Sequence, residues 1–254
     1  MKQSGLEEKK SSEQKPNNTN MKNLMITTLL AVSIGLSAQE LDQTQYAAYL
    51  TASKSMWQKS VAIASDKYGP ESYEKALALY GLLGNTMASQ DEDTFVEYKE
   101  ETIDVLEKII EANPQWGEPK ALLSSTYGLV IAYSPMKGMF LGMKSSSLME
   151  EAMEQQPESA LVQKLYGGSK LYTPEMFGGD PKAALKSYMQ AKNLYEEGNQ
   201  MHENWLYLDS LMGLSMAYQK SGEEDKAKDV LRKAIELEPK YYWAKTELAK
   251  LEKS

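Results

Sequence analysis

Apolar residues recur at helical spacing along most of the chain, most clearly from Leu211 to Pro239. Leu211, Leu214 and Tyr218 share one face of a helix that Ser221-Gly222 closes, and Ala227, Leu231 and Ala234 share a narrow face of a second helix ended by Pro239. Small positions on one helix facing large ones on the other let two antiparallel helices approach closely. The same pattern predicts earlier pairs over about 71–88 with 94–112, 118–133 with 146–155, and 158–171 with 181–197, then 202–220 with 223–237 and a last helix over 240–252. Pro114, Pro157 and Pro239 each stop one helix just before the next begins. Residues 41–67, with Leu41, Tyr46, Leu50, Trp57, Val61 and Ile63, read as one long capping helix stopped by Tyr68-Gly69-Pro70.

Glycine recurs inside these helices, at Gly81, Gly128 and Gly167, each after a Tyr, and at Gly213 in the corresponding helix of the last pair. A helical Gly costs about 1 kcal/mol against Ala, so close approach of a neighbouring helix is expected at each. The large-small-large order, the Gly in the turn and the Pro after the second helix resemble a tetratricopeptide repeat. Ser215 stands where that family prefers a small Gly or Ala, and Leu211 where it often has Trp. The resemblance implies an all-α, right-handed α-solenoid of antiparallel helix pairs with capping helices, over residues 39–254. It also implies a non-enzymatic scaffold that takes a protein or peptide partner in a groove lined by first helices. Carried onto the last pair, that register points to Asp209, Met212, Met216 and Gln219.

Equivalent positions lie about 39–47 residues apart rather than the 34 of the standard repeat, so the links inside pairs carry insertions. Two of them, 134–143 and 172–179, combine Pro and Gly breakers with Met and Phe. Both are expected to fold back and bury those side chains. A second reading has Met139, Phe140, Met176 and Phe177 wall an apolar pocket in a small-molecule-binding accessory component of an envelope transport system.

The N-terminus changes the compartment. The first twenty residues are polar and cannot pack a core. Met21 then opens a tract with Lys22, an apolar run from Leu24 to Leu36 and a small residue at Ala38, the layout of a secretory signal peptide over 21–38 cut after Ala38. That run is short of the about 20 residues of a spanning helix, which leaves an uncleaved anchor or a buried helix as alternatives and no stable span after cleavage. Met21 is then the expected start, and the mature chain is periplasmic or secreted. No Cys is present, so packing alone must hold the fold and no Cys follows the apolar run for acylation.

Removing residues 1–38 removes five Lys and three acids and takes the net charge from -8 to -10, which argues against nucleic acid or an anionic membrane as partner. Residues 91–111 carry nine acids and two Lys around an apolar stripe of Phe95, Ile103, Leu106 and Ile110, so their outer face is either simply solvated or a dock for a basic partner.

Catalytic chemistry has little to stand on. His202 is the one His, so a Cys-His pair is impossible, and neither a Gly-x-Ser-x-Gly elbow nor a phosphate-binding loop is present. Gly178-Gly179-Asp180 reads as a turn and a helix cap. Met136, Met139, Met143, Met149 and Met153 read first as core, second as an adaptable contact surface and third as thioether ligands for Cu(I). The expectation is no catalytic residue, no metal and no cofactor.

Overall fold

The structure is a computed structural model that describes residues 38–253, all of it helices and their links, with no strand among the described residues. The signal-peptide tract before Ala38 lies outside the described residues. Glu40–Ser254 forms one compact unit. Its helices are α1 (38–51), α2 (Lys54–Tyr68), α3 (Tyr73–Ser89), α4 (Glu92–Ala112), α5 (Gly117–Tyr133), α6 (Gly138–Gln155), α7 (Ala160–Tyr172), α8 (Pro181–Glu197), α9 (Trp205–Lys220), α10 (Glu224–Leu237) and α11 (Tyr242–Leu251).

Local chemistry sets these boundaries. Ser53, Ser72, Asp91, Ser159, Asp180 and Asn204 each accept a hydrogen bond from a backbone N–H of the first turn they precede. Gly69 and Gly222 take positive φ values of 104° and 74°, open to glycine, where α2 ends and where the chain turns from α9 into α10.

Helices α3/α4, α5/α6, α7/α8 and α9/α10 form the four expected pairs, and α3, α5, α7 and α9 also touch in succession as an inner layer. The last pair packs as its pattern requires. Leu211, Leu214, Ala227, Leu231 and Ala234 are buried, and the Ser215 hydroxyl donates to the Ala227 carbonyl at 3.2 Å, which only a small side chain allows.

Three expectations need correction. Residues 41–67 are two helices rather than one. Ser53 spends its hydroxyl on the Met56 N–H, and Ala52 takes a positive φ of 48°, which breaks the helix. The resulting α1 does more than cap the first pair, because it reaches the far end of the array. Leu41, Gln45 and Ala48 are buried. Tyr46 donates to Glu238 at 3.0 Å, Tyr49 donates to Asp209 at 3.0 Å, and the Trp205 indole N–H donates to Gln45 at 3.2 Å.

The second correction is α6, which begins at Gly138 rather than 146, so most of the first insertion is helical. Two glycines are tolerated there because Leu141 packs inward on the core and Ser145 exchanges hydrogen bonds with Ser124 on α5.

The third is burial. Met136, Met139, Phe140, Met143, Met176 and Phe177 are between 70% and 89% exposed. Helical phase explains the α6 residues among them: with Leu141 and Ser145 turned inward, residues 139, 140 and 143 fall on the outer side of α6.

Candidate functional site

The inner layer carries a buried polar centre. Lys164 on α7 pairs with Asp209 on α9 at 2.5 Å, and its ammonium lies 5.6 Å from the Tyr80 ring centroid and 5.8 Å from that of Trp205. Burial opposes the Lys164 charge, but Asp209 and Tyr80 outweigh it and hold the amine above the usual lysine range. Asp209 also accepts from Tyr49, whose oxygen lies 2.6 Å from the Tyr241 hydroxyl. Since the Tyr49 proton goes to Asp209, Tyr241 donates to Tyr49. Burial, with Asp209 next, pushes the Tyr49 phenol well above its ordinary value, so it stays protonated and keeps donating.

This centre decides the fate of the four residues carried over from the repeat register. Asp209 is committed to Lys164 and Tyr49. Met212 is 1% exposed, inside the core formed with Leu208, Leu211 and Leu231, and cannot meet a partner. The register fails there because α1 and Tyr241 cover that side of α9, turning a groove position into an interior one. Met216 and Gln219 are half-buried, and Met216 sulfur accepts from the Tyr172 hydroxyl at 3.1 Å, which joins it to the end of α7.

That end belongs to an apolar rim. Because α5, α7 and α9 pack in succession, the links after α5 and α7 leave the same edge of the inner layer. The first carries Met136 on a 3-10 turn (Pro135–Lys137), then Met139, Phe140 and Met143 on α6. The second carries Met176 and Phe177 on a 3-10 turn (Glu175–Phe177), beside exposed Tyr172.

The second link is tightly held. The Asp180 N–H donates to the Lys170 carbonyl at 3.0 Å, Lys170 Nζ donates to the Gly178 carbonyl at 3.1 Å, and Gly178 takes a φ of 96°. A Cβ at Gly179 would sit 1.8 Å from the Thr173 carbonyl oxygen, so glycine is obligatory there. Gly178-Gly179-Asp180 is thus the turn and cap that its sequence suggests. The four residues of the expected pocket, Met139, Phe140, Met176 and Phe177, instead point outward on this rim. No sequence signal distinguished outward from inward here, since apolar content was high in either case.

The other chemical candidates separate. Met149 is buried and Met153 packs on the same core, whereas Met136, Met139 and Met143 are exposed, so the five thioethers do not form one cluster. Among the described residues no group of three or more His, Cys, Asp and Glu is placed to hold a metal ion. His202 is exposed just before α9. On α4 and at its cap, Asp91, Glu101 and Glu107 are paired with Lys54, Lys75 and Lys144 of neighbouring elements, so part of its acidic face is already neutralised. No helix among the described residues is long and apolar enough to cross a membrane. Lys164, Tyr49, Gln45 and Tyr241 form the centre that sequence reasoning missed.

Known proteins bear on this geometry. No curated protein matches the chain. A thermophilic TPR protein of known crystal structure from Thermus thermophilus has a similar fold, with a TM-score of 0.54 and 18% identity over 85% of this chain and 95% of that one. Residues 208–241, which take in most of α9 and all of α10, match the family model described as a tetratricopeptide repeat. With that repeat in the last pair and the fold likeness across the array, the structure is a helical solenoid of tetratricopeptide type.

Proposed function

We propose that the protein is an exported, non-enzymatic scaffold that binds a protein partner through the Met/Phe rim, with an apolar segment of that partner as the contacting element. The single observation that carries this reading is the exposure of six large apolar side chains, Met136 with three on the first turns of α6 and two on the link after α7. Singly exposed apolar residues need no explanation, whereas six grouped on two short stretches of the chain do. Methionine suits an adaptable contact and Phe an anchor. The scaffold fold supports a protein-interaction role in general. Partner recognition here uses the rim and the adjoining Met216 and Gln219 rather than a groove around Met212.

Export rests on the tract from Met21 to Ala38, and the compact unit starting at Glu40 supports it, because a cut after Ala38 would leave that unit whole. The mature net charge of -10 supports a protein over nucleic acid as partner.

The test is a pull-down from envelope extract with Gln39–Ser254 as bait beside a Phe140→Asp, Phe177→Asp variant shown by circular dichroism to stay helical. A protein retained by the first and lost by the second is expected. Equal retention by both removes the rim from the reading.

A further inference from the structure

At the edge opposite the rim, where the inner helices begin, lies a pocket of about 550 Å³, within the range of small-ligand sites. Four carboxylates line it: Asp42 on α1, Glu118 in the first turn of α5, Glu158 before α7 and Glu203 before α9. Its one basic side chain is His202, no Lys or Arg lines it, and among the described residues none of the four forms an ion pair. Glu118 accepts only neutral donors, the Tyr73 hydroxyl at 2.7 Å and the Ser159 hydroxyl at 2.6 Å. Lys164, the cation buried behind Trp205, is committed to Asp209.

Helix N-termini favour nearby acids, and this accounts for Glu118, Glu158 and Glu203 taken singly. It does not account for Asp42, which enters from α1. Nor does it account for Tyr195. That residue lines the pocket, is 3% exposed, and its hydroxyl has no hydrogen-bond partner. A buried hydroxyl left without a partner is rare, and its oxygen can accept from a ligand N–H.

We propose that this pocket binds an organic cation, a primary ammonium or guanidinium group whose N–H donors reach the carboxylates and Tyr195 while its alkyl chain lies against Trp205. The carboxylates come from four separate elements, and no three are placed to converge on a metal ion. That spread suits an extended ligand with more than one nitrogen. Aromatic walls and acids that form no ion pair are the two features that select alkylammonium and guanidinium groups. Such a group reaches the site either on a free polyamine or on a basic side chain of a peptide. The site is independent of the rim, and either can fail without the other.

The experiment is calorimetric titration of the full chain, at low salt, with spermidine, with a blocked tetralysine peptide and with a blocked tetraglutamate peptide as control. Binding with a Kd at or below about 100 µM by at least one cationic probe is expected. Spermidine alone binding identifies a free cation as the source, and tetralysine binding more tightly identifies a peptide side chain. A Glu158→Gln, Tyr195→Phe variant should bind about tenfold more weakly while circular dichroism shows it folded, since the two groups removed, the Glu158 carboxylate and the Tyr195 hydroxyl, have no hydrogen-bond or ion-pair partner among the described residues. Glu118→Gln adds a second loss, checked for folding by circular dichroism. No binding of either cationic probe at about 1 mM overturns the assignment, as do equal affinity in the variant or equal binding of tetraglutamate.

Discussion

Tyr188 lies between the backbones of two inner helices and sets how closely they approach. A Cβ added at Gly213 would lie 2.3 Å from its ring, and one at Gly167 would lie 2.9 Å away. Gly81 meets Trp57 in the same way, at 2.3 Å. Tyr188 and Trp57 are both buried, so neither ring can swing aside to make room. Gly213→Ala should therefore destabilise by about 1–3 kcal/mol, as overpacking does. At Gly128 a Cβ would meet nothing within 4 Å and would face solvent, so Gly128→Ala should stabilise by about 0.5–1 kcal/mol. Urea unfolding of the two variants checks both signs, and a stabilising Gly213→Ala would sink the close-approach account. The sequence showed that glycine inside a helix needs a reason, and three of four glycines had the expected one. It could not show that the neighbour was an aromatic ring, or that Gly128 sits on the solvent side, because helical phase alone leaves the facing element unnamed.

At the scale of elements, Glu196 ties α8, α9 and α10 together. Its carboxylate accepts from Lys233 on α10 at 2.5 Å, from Lys192 one turn earlier at 2.9 Å and from the Tyr207 hydroxyl on α9 at 2.7 Å. Burial opposes its charge, yet these three donors hold its carboxyl at about 2, below the ordinary 4.5. A folded pKa below the unfolded one gives stability that is fully present above the unfolded value and is lost as pH falls through the folded one. Glu196→Gln should thus cost about 1–2 kcal/mol near neutral pH after allowance for solvent screening, and the gap to wild type should shrink between about pH 4.5 and pH 2. Denaturation at about pH 7 and pH 3 checks it, and a gap that stays constant would show that the donors do not favour the charged form. Helix boundaries were legible at this scale. Elements such as Pro181–Glu197 follow from caps, prolines and periodicity. The 138–145 extension of α6 was not, because its glycines argue for a break and only Leu141 and Ser145 meeting their partners overrides them.

Across the whole molecule, the decisive contacts join residues 160 to 192 positions apart, from α1 to α9 and to the segment between α10 and α11. No period in the sequence links Tyr49 to Asp209 and Tyr241, so α1 read only as a cap and Met212 as groove-lining. An inner face left open would have exposed Trp205, whose ring instead packs on Trp57 at 5.1 Å and Tyr49 at 5.8 Å. If α1 closes the array, a chain beginning at Ser53 should stay helical but lose at least about 3 kcal/mol, from Leu41 burial and the hydrogen bonds of Gln45, Tyr46 and Tyr49. The Trp205 environment should become wetter, seen as a red shift of tryptophan emission in a variant whose other tryptophans are replaced by Phe. A peptide spanning 39–52 added in trans should reverse that shift. If truncation leaves both the unfolding midpoint and the emission unchanged, α1 contributes nothing to closure. In that case the inner face is free, and Met212, Met216 and Gln219 return as its partner-facing positions, with Asp209 still held by Lys164.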